Sequence, residues 1–311
     1  MGSLQAWTSA LAGSMSQSYK PIVAMAIFDL AQEEIKRDAF VQRVSEFFWQ
    51  LERRFSLNHG PVNNDVQQLI KACMDEQEDE TWAKVWRKLG ESEENKTRSP
   101  RDFIWTKLRE MPLKKLPSST TETLYLVTED VILLPHESLA TIQANKKALL
   151  KLARCILGEF LERFNSTSPR VNQKVKIAWE KKRPSLPSSY NEALSSYHVP
   201  AVCYICGSTI RDTPDWDHVI PFSHIGGHDL WNLMPACGPN SGTGLHCNQQ
   251  KSAGRPTEGQ IDSTEIRNQS MLSWLKSEKS EIPFRKASKL VQELESAASK
   301  EELRRLWNSM L

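Results

Sequence analysis

Residues 203–252 read CYICGSTIRDTPDWDHVIPFSHIGGHDLWNLMPACGPNSGTGLHCNQQKS. Four of the chain's six cysteines fall in this stretch: Cys203, Cys206, Cys237 and Cys247. Clustering at such spacing, in a chain with no basic-then-apolar leader at its start, points to a metal and not to a disulfide framework. Cys203 and Cys206 form a Cys-x-x-Cys knuckle that offers two thiolates to one ion, and Cys237 and Cys247 can supply the other two. Four thiolates close a tetrahedral Zn²⁺ site and leave no position for water, so the expected role is structural. Nine residues separate the second pair, Gly238 to His246, which is wider than a usual knuckle. His246 stands as an alternative fourth ligand. So glycine- and proline-rich a segment has little core of its own, and the ion is expected to be needed for folding.

The polar residues suggest a second site. Asp217-His218 precedes Val219-Ile220, as at the end of a strand. A second strand is expected near Leu230–Met234, with Gly226-Gly227 in the turn between them. Asn248 opens a short helix that ends near Lys251. In such a strand–strand–helix unit, Asp217 and Asn248 converge on one hard cation, Mg²⁺ or Mn²⁺. His218, on the other side of the strand, takes a proton from water. Asn232 is expected to hold that imidazole through its side-chain carbonyl. His224 and His228 read as surface-loop histidines, with phosphate contact or assistance to the metal as the alternative, and Trp216 and Trp231 read as packing residues.

The pattern CxxC…DHxxPxSxxGG…DLWNLMPAC…CNxxKS closely resembles the HNH, or ββα-metal, endonuclease family with a zinc-knuckle scaffold. The resemblance implies that His218 is the general base, with Asn232 as the central asparagine. It implies metal binding by Asp217 and Asn248, a phosphate contact from Lys251, and zinc at Cys203, Cys206, Cys237 and Cys247. The nine residues between the last two cysteines depart from the family pattern. More weakly, Ser18-Tyr19-Lys20-Pro21 and the apolar run after it look like modules found beside nucleases in bacterial restriction and anti-phage proteins.

Around this segment the chain reads as α+β. Its 311 residues, 39% of them hydrophobic, suit two domains. The expected order is a helical recognition or partner-binding domain at 1–165, a basic linker or helix at 166–198, and the nuclease domain with C-terminal helices at 199–311. Apolar residues at helical spacing mark helices over 22–30, 40–51, 66–73 and 139–164. Leu124–Val127 and Val131–Leu134 flank a polar turn and read as a β-hairpin, either a DNA-touching wing or a small structural sheet. Trp82, Trp86, Phe103, Ile104 and Trp105 read as core, with base stacking as the alternative. Cys73 and Cys155 read as buried thiols. After the central stretch, helices are expected over 265–276, 284–298 and 303–307.

Net charge is only +2, so any nucleic-acid contact must come from local patches. The best is Arg170 to Arg183, which carries Lys174, Lys176, Lys181, Lys182 and Arg183; its alternative is a solvated helix face. No apolar run is long enough to span a membrane, and a cytoplasmic location is expected. The leading expectation is a DNA endonuclease of restriction or antiviral defence, working as a homodimer or with a partner subunit. A zinc module that only binds nucleic acid or a partner protein would dispense with His218 and Asn248, and both are present.

Overall fold

The apolar stripe begun at Leu139 becomes one long helix, α8 (His136–Glu162), whose Ile142, Leu149, Ala153 and Leu157 are buried. In this computed structural model the described residues are 2–15, 17–60, 64–74, 81–91, 99–166, 168–179, 185–197, 202–247, 255–277, 282–297 and 300–310. The chain divides into two units, Met1–Ser166 with Val171–Lys181, and Thr167–Arg170 with Lys182–Leu311.

The first unit is mostly helical. Helix α1 (Leu4–Ala12) starts at Ser3, whose hydroxyl accepts from Ala6 N. It was not foreseen, because its 9 residues are too few to show a clear period. It is nevertheless core. Trp7 is fully buried, donates through Nε1 to Ser138 Oγ at 3.1 Å, and packs edge-on to Phe28. Helix α2 (Tyr19–Leu30) is buried from Lys20 to Phe28 on every side, as expected of a helix at the centre of a unit. Helix α3 (Arg37–Phe55) turns Phe40, Val44, Phe48 and Leu51 into the same core. Helices α4 (Asp65–Cys73), α5 (Trp82–Gly90), α6 (Pro100–Glu110) and the short α7 (Pro112–Lys115) complete this side. Ile104 and Trp105 are buried, whereas Phe103 is exposed.

The expected hairpin is part of a larger sheet. Strand β1 (Glu34–Lys36) pairs antiparallel with β3 (Val131–Leu133), which pairs on its other edge with β2 (Leu126–Val127). Three residues of strand give no visible alternation, so β1 escaped the sequence reading. Helix α9 (Val171–Ile177) lies against α8 at Gly158, where any Cβ would strike Asn172. Cys155 is exposed and Cys73 half-buried, which corrects the reading of both as buried thiols.

The second unit is built on a two-stranded antiparallel sheet, β4 (Asp215–His218) with β5 (Leu233–Ala236). Helix α10 (Ser188–Ser196) precedes it and the short α11 (Phe222–Ile225) lies between the strands. Helices α12 (Glu258–Leu275), α13 (Phe284–Ala297) and α14 (Lys300–Asn308) follow. Val219, Ile220, Leu230, Trp231 and Leu233 join Ile261, Met271, Leu290 and Leu306 in one core. All four residues of β5 are buried, because Leu233 and Met234 serve that core while Ala236 serves the cysteine cluster. Among the described residues no helix is long and apolar enough to cross a membrane.

Candidate active site and metal centre

The cysteine knuckle is made by the backbone. Cys203 N donates to Ser208 O at 2.9 Å and Gly207 N to Cys203 O at 2.8 Å, with Gly207 at φ +73°. A left-handed residue at this bend favours glycine. Cys237 follows β5 directly, and Cys247 lies beyond the wide insertion. The insertion is pinned back by Thr213 N donating to Asn240 O and by the buried Ser241, whose hydroxyl donates to Gly238 O at 2.7 Å. All four sulfurs lie within 4.8 Å of one another. Cys206 Sγ and Cys237 Sγ are 3.8 Å apart. Tetrahedral bonds of about 2.3 Å to zinc set sulfurs about 3.8 Å apart, so the donor set fits that ion. Cys237 N–H points at Cys203 Sγ at 3.4 Å, the kind of donor that steadies a thiolate ligand. Burial pushes the Cys247 thiol up to about 12 and raises Cys237, while the hydroxyl and backbone of Ser208 hold Cys206 down at about 6. A dication at the centre would supply the charge that keeps all four deprotonated. His246 is outside this group of four; its Nδ1 is buried with no hydrogen-bond partner among the described residues.

One strand away lie the polar residues. The register sets Asp217 opposite Met234 and His218 opposite Leu233, so Asp217 and His218 point to opposite faces of β4. Asp217 is held at both oxygens: Oδ2 accepts from Tyr204 OH at 2.6 Å, and Oδ1 accepts from His218 N at 2.8 Å. Burial and the neighbouring Asp217 charge push the Tyr204 phenol well above its ordinary range, so it stays a donor. His218 is buried, with its Nε2 3.1 Å from His228 Nδ1 and its ring edge-on to Phe222.

Residues 203–254 match the HNH endonuclease family. No curated protein and no solved structure matches the chain.

Within the HNH segment the central asparagine does a different job from the expected one. Asn232 is fully buried; its Oδ1 accepts from Ile220 N and its Nδ2 donates to Ile220 O, both at 2.8 Å. The amide thus bridges the backbone just after His218, and Val219 N donates to Asn232 O as well. The reason is burial: an amide sealed in an apolar core must find partners, and the cut ends of the two strands provide them. The imidazole is met instead by His228, which the sequence reading placed on a surface loop. His224 is also engaged, through Nε2 to Ser309 Oγ at 2.8 Å.

The loop that carries Asn232 is gripped from outside the HNH segment, by residues the sequence reading did not select. Arg170 pairs with Asp229 at 2.5 Å. Glu293 of α13 accepts from Leu230 N at 2.8 Å and also from Tyr190 OH; burial raises its carboxyl. Arg267 of α12 donates to the carbonyls of Leu230 and Leu233, and desolvation pushes its guanidinium down to about 10. Asn268 Nδ2 donates to Trp231 O at 2.9 Å. Their signal in the sequence was weak: an Arg-Asn pair inside an otherwise ordinary helix.

Asn248 and Lys251, and the basic residues Lys181, Lys182 and Arg183, lie outside the described residues. The part of the basic run that is described does not form a free cationic face. Lys174 is buried beside the Phe55 ring, and burial brings its amine down to about 8. Arg170 is committed to Asp229, and of these residues only Lys176 is exposed. Seven residues of helix cannot keep every lysine outward when one face must cover a core.

Proposed function

We propose that this chain is a metal-dependent HNH endonuclease that hydrolyses DNA phosphodiester bonds. The observation that carries the reading is the strand β4. It presents Asp217, oriented by Tyr204, on one face and His218, backed by His228, on the other.

Asp217, with Asn248 as second donor, would hold Mg²⁺ or Mn²⁺; one carboxylate and one amide suit a hard cation completed by water and phosphate. Bound there, such an ion supplies charge stabilisation at the leaving 3′ oxygen. The chain's own part is proton transfer and positioning. With the His218 Nε2 proton donated to His228 Nδ1, the His218 Nδ1 lone pair accepts a proton from water. The oxygen of that water bonds to phosphorus, the bond to the 3′ oxygen breaks, and the leaving oxygen takes a proton from solvent water, so that a 5′ phosphate and a 3′ hydroxyl result. Lys251 contacts phosphate, and Lys181, Lys182 and Arg183 extend the DNA contact. Zn²⁺ at the four cysteines is structural.

We further propose that the N-terminal unit is a recognition or partner-binding domain, and that the enzyme serves restriction or anti-phage defence. The resemblance of Ser18–Pro21 to modules beside restriction nucleases supports this. The net charge of +2 favours a second reading, a nuclease subunit that needs a partner or a second copy to hold DNA.

The test is plasmid cleavage by the purified chain with Mg²⁺ or Mn²⁺, wild type against His218→Ala, on unmodified and phage-derived modified DNA. Cleavage by the wild type alone is expected. Equal cleavage by both would end the assignment of His218. Absence of cleavage by a folded, zinc-loaded wild type would move the reading to the partner-dependent subunit.

A further inference from the structure

The N-terminal unit contains a cavity of about 580 Å³, lined in part by Tyr19, Lys20, Asp65, Lys107, Lys115 and Ser118. Lys20 is the unusual member. It sits in the first turn of α2 and is only 7% exposed, yet its ammonium has no hydrogen-bond or ion-pair partner among the described residues. Burial lowers its amine below the ordinary range. Its end lies beside Gly13, where an added Cβ would meet Lys20 Nζ at 2.5 Å and Ser119 Oγ at 2.1 Å. The lack of a side chain at Gly13 therefore makes the room in which the ammonium sits. Lys107 is nearby but is engaged with Asp65 at 2.9 Å. Lys115 is exposed on the same cavity. The one carboxylate in the lining is thus paired with Lys107, and no ion pair to it is made by Lys20 or Lys115 among the described residues.

The Lys20 side chain is largely buried and its ammonium opens only on the cavity, where an anion would give it the paired counter-charge it lacks. Lysines act as point charges that suit phosphate. The volume exceeds what a lone phosphate needs and falls in the range of small-molecule sites. Met15, Met111 and Pro112 give an apolar lining for an organic body. We propose that this cavity binds a phosphate monoester carried on a nucleoside-sized group. The ester is either a free nucleotide or the phosphorylated end of a nucleic-acid strand. This inference stands apart from the nuclease reading and does not depend on it.

The test is thermal shift and titration calorimetry on the full chain without added Mg²⁺ or Mn²⁺. The probes are inorganic phosphate, deoxyadenosine 5′-monophosphate, and one oligonucleotide with and without a 5′ phosphate, against sodium chloride at equal ionic strength. Wild type should be stabilised by the phosphate probes beyond the chloride control. Lys20→Met should weaken that binding at least tenfold while melting no lower than wild type when no ligand is present. Lys115→Gln, at an exposed position, should weaken it several-fold with an unchanged fold. Tighter binding of the nucleotide than of the phosphorylated oligonucleotide identifies the free nucleotide as ligand, and the reverse identifies the strand end. A chloride effect equal to that of phosphate, or full affinity in both variants, would overturn the proposal. So would a Lys20→Met chain that melts lower without ligand while Lys115→Gln binds as wild type, since Lys20 would then be structural.

Discussion

Tyr204 lies inside the Cys203–Cys206 knuckle but acts on the strand beside it. Its hydroxyl holds Asp217 at 2.6 Å, so one residue of the cysteine knuckle orients the acidic residue of the neighbouring strand. Tyr204→Phe keeps the ring and all four sulfurs. Zinc content should be unchanged, while cleavage should fall about 10- to 100-fold, the usual loss when a ligand's supporting hydrogen bond is removed. A wild-type rate would show that the Tyr204 hydroxyl is not needed to orient the carboxylate. His228 makes a parallel case. His228→Ala should slow cleavage with little change in stability, because the residue is half-buried and its Nδ1 lies 3.1 Å from His218 Nε2. A large fall in melting temperature with kcat intact would make it a packing residue instead. Neither role was legible in the sequence: a tyrosine between cysteines and a histidine after two glycines carry no pattern. Both roles arise from hydrogen bonds that form only once β4, the knuckle and the loop meet.

At the scale of elements, the cysteine cluster and the C-terminal helices are two different supports. The buried set around the cysteines is small, Cys203, Ile210, Ala236 and Cys237. So few apolar groups cannot hold a loop-rich segment without a cross-link. Cys203→Ser should therefore lose zinc by elemental analysis and expose this segment to protease; full zinc content would refute the four-sulfur site. Helix α12 supports the other side. Arg267→Leu would strip the donors from the Leu230 and Leu233 carbonyls. Leaving such buried acceptors unpaired costs about 1–3 kcal/mol. Urea unfolding should show a loss of that order, and cleavage should fall with it. An unchanged midpoint would mean that water takes over both carbonyls. The helix was legible from residue 265 on, where Met271 and Leu275 face the core, but it begins earlier, at Glu258. Its grip on the Asn232 loop was not, because the partners lie 34 and 37 residues apart in the chain.

For the whole molecule, two units with separate cores imply that conditions can weaken one without the other. The first unit contains a titratable weak point. His59 is buried, accepts or donates at Nδ1 with Ser18 Oγ at 2.7 Å, and has no partner at Nε2 among the described residues. Burial, with Lys71 adding to it, pushes its imidazole down to about 3. The unfolded chain takes up this proton below about pH 6.5, the folded chain only near the lower value. The contribution is complete above pH 6.5 and is lost as pH falls toward 3, by about 1.4 kcal/mol per pH unit. Comparing urea midpoints of wild type and His59→Gln from pH 7 to 4 should show a steeper fall in the wild type. Parallel curves would place the acid sensitivity elsewhere.

The sequence by itself determined which donors exist and in what order: four cysteines, the Asp217-His218 pair, Asn232, and the amphipathic helices. These follow from residue type and short-range period, which are local properties of the chain. Tertiary structure alone decided what each donor touches. It brought four sulfurs within 4.8 Å across the wide insertion, turned Asn232 to Ile220, and gave His218 the neighbour His228. It also buried Lys174 within a basic run, drew Trp7 into the core, and paired β1 with β3 across nearly a hundred residues. The physical reason is common to all of these. A buried polar group must find its partner wherever packing leaves one, and that choice depends on surfaces that only the folded chain brings together.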